Sequence, residues 1–223
     1  MKQIPLAIAI PPAPTFDSFV AGANAGALAH LRRIAPGAPP LYLWGLPGSG
    51  KTHLLKALAA QAQDEGARVA WFDPASPAPW AQDEGAGLIV LDDCDRFNAA
   101  QQQAAFGLFV LAAAQGAAVA AAGSVPPVDL GLRDDLRSRL GWGHVFALQP
   151  LAEAGMRAVL RREADRRGLF LSDEVMAYLL TRFERDLGHL MAQLDRLDRY
   201  ALVTKRAITL PLLRQMLAEE SAA

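Results

Sequence analysis

Gly45-Leu46-Pro47-Gly48-Ser49-Gly50-Lys51-Thr52 fills every fixed position of the pattern G-x-x-x-x-G-K-[ST], a phosphate-binding loop. Gly48 and Gly50 have no Cβ, so the backbone there can turn tightly and bring its N–H groups against phosphate oxygens. A helix beginning near Lys51 points its positive end at the same anion. Lys51 would reach the β- and γ-phosphates, and the Thr52 hydroxyl would bind Mg²⁺. Gly45, Pro47, Ser49 and His53 complete the candidate nucleotide-binding set. Leu41–Trp44 ahead of the loop reads as a buried strand, and His53–Leu58 behind it as a helix.

Further strands are expected at Arg68–Phe72, Leu88–Leu91, Ala117–Ala122 and His144–Leu148. Pro74 to Gly87 is expected as a loop, and Ala100–Gln115 and Asp134–Leu140 as helices. Leu88–Leu91 ends in Asp92-Asp93, a buried strand delivering acids at its carboxyl end. Asp92 would hold Mg²⁺ through its water shell, and Asp93 would orient an attacking water. The strand to Ala122 ends in Gly123-Ser124, which puts Ser124 beside a γ-phosphate in a doubly wound sheet. In the polar helix that follows, Arg137 and Arg139 read, from the residues alone, as a solvated face.

The 223 residues carry a net charge of -1 and are 52% hydrophobic. That balance supports a sizeable core and gives no basic footprint for nucleic acid. Cys94 is the single cysteine, which excludes an intramolecular disulfide and fits a reducing, cytoplasmic setting. Residues 97–128 contain no charge, but four glutamines, Gly116 and weakly apolar alanines argue for a helix and a strand rather than a membrane span. Residues 1–14 form a proline-rich extended tail, and an α/β domain covers 15–149. Beyond Pro150 the pattern turns helical, with Leu187, Leu190, Met191, Leu194, Leu197 and Ala201 as a packing stripe, making 150–223 a small all-α lid. Within the tail, Gln3-Ile4-Pro5-Leu6-Ala7-Ile8 reads either as a bare terminus or as an extended docking segment.

Thr15-Phe16-Asp17-Ser18-Phe19-Val20 with Gly22 and Asn24, the phosphate loop, Asp92-Asp93 and Leu136-Arg137-Ser138-Arg139-Leu140 together resemble the AAA+ superfamily and, within it, the DnaA initiator family. Tyr42-Leu43-Trp44-Gly45, Ser138–Gly143, Leu194–Arg199 and the tail around Gln3 are similar to the short Hda-type regulators of that family. The resemblance implies a five-stranded parallel AAA+ domain with a helical lid, and ADP or ATP with Mg²⁺ as ligands, ADP being favoured. It adds Asn24 to the nucleotide-binding residues. It implies binding to the polymerase sliding clamp (its β subunit) through Gln3, Leu6 and Ile8. It also implies contact with ATP-bound DnaA, whose hydrolysis Arg139 would stimulate as an arginine finger in trans, preventing re-initiation. Own hydrolysis is expected to be weak or absent, and a homo-oligomer stays open. No sequence-specific DNA binding is expected, since the initiators' helix-turn-helix has no counterpart here. The arginine that the family carries early in a lid helix falls on Gly188, with Arg185 as the nearest substitute. The alternative is a self-contained DnaA-like ATPase or helicase loader.

Overall fold

The computed structural model describes residues 13–80, 85–183 and 187–221. Successive strand residues point to opposite faces, so a strand without polar alternation must be covered on both sides. In β1 (Leu41–Trp44), Leu41 and Leu43 enter one core and Tyr42 the other, and all three are buried. In β3 (Ala86–Leu91), Leu88 and Val90 join Leu41, while Ile89 and Leu91 join Tyr42. In β4 (Ala118–Gly123), Ala118, Ala120 and Ala122 face one way, Val119 and Ala121 the other. With β2 (Arg68–Phe72) and β5 (His144–Ala147) these form one five-stranded sheet, parallel throughout, in the order β2-β3-β4-β1-β5.

One face of the sheet is covered by α1 (Ala25–Leu31) and α2 (Lys51–Asp64), which bury Leu31, Leu54 and Leu55 completely. The other is covered by α3 (Ala99–Gln115) and α4 (Asp134–Gly141), through Leu108, Phe109, Leu136 and Leu140. Each fully buried leucine contributes about 1.5–3 kcal/mol. Several boundaries differ slightly from the expected ones. α3 starts at Ala99 because Asn98 and Gln101 form a reciprocal capping box. β3 takes in Ala86 and Gly87 from the expected loop, β4 runs Ala118–Gly123, and β5 stops at Ala147.

Contacts divide the described chain after Pro150. The unit from Leu151 onward holds α5 (Glu153–Arg166), α6 (Asp173–Arg182), α7 (Leu187–Thr204) and α8 (Leu210–Ser221). Met156, Leu160 and Ala164, four residues apart on α5, are buried against Leu179 of α6, Leu194 and Leu197 of α7 and Leu212 of α8. Ser172 caps α6, its hydroxyl accepting from the Val175 N–H at 3.3 Å. No helix among the described residues is long and apolar enough to cross a membrane.

Candidate functional site

The loop Gly45–Gly50 joins the carboxyl end of β1 to the amino end of α2. Gly50 lies in the left-handed region, φ 95°, and a side chain there would meet Phe19 at 2.6 Å. A Cβ on Gly45 would sit 2.4 Å from the Leu148 carbonyl oxygen. Both positions therefore require glycine, and the loop lies pinned between Phe19 and the end of β5. The Lys51 ammonium is turned into this loop and donates to the carbonyls of Gly45 at 2.7 Å and Leu46 at 3.2 Å. Ser49 Oγ is buried and, among the described residues, has no hydrogen-bond partner.

The two acids arrive on β3. Asp92 is 6% exposed and accepts from the Thr52 hydroxyl at 2.8 Å, so two residues 40 positions apart meet as a candidate Mg²⁺ pair. Burial pushes the Asp92 carboxyl above the usual carboxylate range, and the Thr52 hydrogen bond offsets part of that. A divalent cation beside it favours the ionised form. Asp93 follows with φ 48°, a left-handed backbone uncommon outside glycine, and its carboxylate lies 3.9 Å from Arg96.

Other expected site residues have different surroundings. Trp44 pairs with Gly123, so Ser124 does emerge beside the loop. Its hydroxyl, however, donates to Asp95 at 2.5 Å. Asp95, missed in the sequence, stands on the 3-10 turn Cys94–Arg96 directly after the acidic pair. The buried Asn24 spends its side chain on one backbone unit: its amide donates to Gln149 O at 2.9 Å and its oxygen accepts from Gln149 N at 2.8 Å. It ties the end of β5 to the segment before α1 rather than presenting a free amide. His53 Nε2 lies 3.1 Å from Ser18 Oγ and 3.0 Å from Thr15 O, holding the Thr15–Phe19 arm over α2. Gln3, Leu6, Ile8 and Arg185 lie outside the described residues.

Arg139 lies at the opposite edge of the sheet. It lines a cavity of about 430 Å³ with Pro39 and Pro40, which precede β1, and Gly116 and Ala117, which precede β4. The phosphate loop leaves β1 at its other end, a strand length or ~13 Å away. Arg133 pairs with Asp135 and Arg137 with Asp134, whereas Arg139 has no carboxylate partner among the described residues. Its guanidinium instead lies 5.7 Å from the ring of Trp142, itself 71% exposed.

Residues 11–74 match the bacterial DnaA ATPase domain family, and residues 153–217 match the Hda lid domain family. The chain is a DnaA-like AAA+ protein of the Hda type. Among solved structures, this DnaA-like fold superposes on domain III of the Thermotoga maritima replication initiation protein DnaA with a TM-score of 0.79 at 22% identity, covering 94% of this chain and 98% of that one. DnaA from Aquifex aeolicus, bound to AMPPCP, gives 0.70 at 21% identity over 84% of this chain and 66% of its own. The Thermotoga maritima RuvB Holliday junction branch migration motor gives 0.68 at 16% identity, covering 92% and 71%. At these identities the likeness speaks for the fold.

The residues of the Hda-type chain fit a nucleoside phosphate on two observations. The buried Ser49 hydroxyl, without a partner among the described residues, is a group that a phosphate would satisfy, and the Lys51 ammonium beside it, bonded to two loop carbonyls, keeps a third donor for an anion. Gly188, at the lid position where the family resemblance expects arginine, is exposed, with His189 beside it directed to Gln193.

Proposed function

We propose that this chain acts in the control of replication initiation as a nucleotide-bound activator of another ATPase. Gly45 to Thr52 would cradle the phosphates, with Thr52 and Asp92 holding Mg²⁺. The cation would neutralise phosphate charge and set the phosphate group's orientation. Gln3, Leu6 and Ile8 would hold the chain on the sliding clamp. Arg139 would enter the ATP site of DnaA and stabilise charge on the transferring phosphoryl group, an effect worth ~10³–10⁵ in rate for such fingers.

One observation carries the reading. Arg139 stands a strand length from its own phosphate loop, at the edge where the strands begin, without a carboxylate partner among the described residues. Its charge is therefore available to a neighbour and out of reach of its own nucleotide. Arg139→Ala is expected to keep nucleotide and clamp binding but to lose stimulation of ATP hydrolysis by DnaA, by at least ~10³-fold if the finger is complete. Undiminished stimulation would remove the assignment.

A second reading, a self-contained ATPase, draws on the full loop and the Thr52–Asp92 pair. Against it, Ser124 is engaged by Asp95, and Asp93 leans toward Arg96. Turnover by the isolated chain that vanishes in Asp93→Asn would favour this alternative.

A further inference from the structure

We infer that Trp142 is a positioning residue for Arg139, holding the guanidinium in the geometry in which it is presented to a partner's nucleotide. The inference rests on the finger reading above and adds a residue to it.

Trp142 is the strongly exposed tryptophan of this chain, at 71%, whereas Trp80 is buried and Trp44 and Trp71 are half-buried. Leaving an indole in water forgoes a large burial gain, so its station calls for a reason. That station is rigid. Leu136 and Leu140 anchor α4 in the core. Trp142 follows as the helix cap, its N–H directed to Arg139 O at 3.4 Å. The next residue, Gly143, runs so close to the preceding connector that a Cβ would fall 1.9 Å from Pro40 O. His144 N then donates to that same carbonyl at 2.8 Å. The indole is thus carried on backbone fixed from both sides.

Arg139 and Trp142 share a wall of the cavity at this edge, and the guanidinium carbon sits 5.7 Å from the ring. That distance lies within the range of a cation–π contact. An arginine loses considerable rotamer freedom when it is held in one geometry. Arg133 and Arg137 are restrained by carboxylates, which would also neutralise a finger. An aromatic face restrains the side chain while leaving its N–H donors open to phosphate oxygens. An exposed contact of this kind corresponds to about a two- to fivefold population of the held rotamer.

The test is stimulated ATP hydrolysis by full-length DnaA, titrated with full-length chain and clamp. Trp142→Ala and Trp142→Leu are expected to lower the maximal stimulated rate about two- to fivefold with little change in the half-saturating concentration. Trp142→Phe is expected to recover most of the rate. In an Arg139→Ala background, Trp142→Leu is expected to add nothing. A wild-type maximal rate for Trp142→Leu, or a raised half-saturating concentration at unchanged maximal rate, overturns the positioning role while leaving the finger in place. Full stimulation by Arg139→Ala removes the finger and this proposal together. Melting temperatures of the exposed-site variants, expected to match the parent, exclude a folding defect.

Discussion

At the scale of single residues, Asn24 separates a strut from a ligand. Its amide oxygen and nitrogen both bond the Gln149 backbone, and the Leu148 carbonyl just before it abuts Gly45. Asn24→Ala should therefore cost about 2 kcal/mol in urea unfolding, from two hydrogen bonds and the groups they leave unsatisfied. Nucleotide affinity should fall less than tenfold. A larger affinity loss at unchanged stability would mean that the amide touches the nucleotide directly. The sequence conveyed the loop glycines through the local geometry of a phosphate cradle, and Asp92 through its place at the carboxyl end of an apolar strand. It did not show what Asn24 and Ser124 bond to. The partner of Asn24 is 125 positions away and that of Ser124 is Asp95, 29 positions back. No local pattern announces such pairs.

Among the elements, α5 is tied to its neighbours by charge as well as by leucines. Glu163 accepts from Arg166 Nε at 2.9 Å and Arg167 Nε at 2.7 Å, and Arg167 also reaches Asp195 of α7. The hydrogen bond from Arg166, with that from Arg167 and their charges, holds the Glu163 carboxyl below its ordinary 4.5. A lowered acid stabilises the fold above its ordinary value, and that contribution drains away as pH falls from about 4.5 through the folded-state value. Glu163→Gln should accordingly lose about 1–2 kcal/mol at pH 7, measured by chemical unfolding of the whole chain. The deficit should close on acidification below pH 4.5. A pH-independent difference would refute the ion-pair account. β1 and β2 were legible to the residue because apolar runs between turn residues have few alternatives. The start of α3 was not, since it depends on Gln101 reaching back to the Asn98 N–H. The same Gln101 also donates to Pro74 O and Ser76 O, a tertiary use invisible in a run of three glutamines.

For the molecule as a whole, tethering and stimulation should be separable. Gln3→Ala is expected to weaken retention on immobilised clamp without moving nucleotide affinity or melting temperature. Equal retention would set the tail proposal aside. The gross architecture was readable because it follows from strand burial and one loop motif. The use of Trp142 was not, because an exposed tryptophan has meaning only once its neighbour is known. A final consequence follows from where β1 begins and ends. The cradle for phosphate opens at the head of that strand, and the guanidinium stands at its foot. Any contact in which Arg139 meets a neighbour's phosphates therefore joins unlike surfaces, the foot of one chain and the head of the other. Such a union has a direction. The chain that donates at its foot does so without drawing on its own phosphate cradle at that contact.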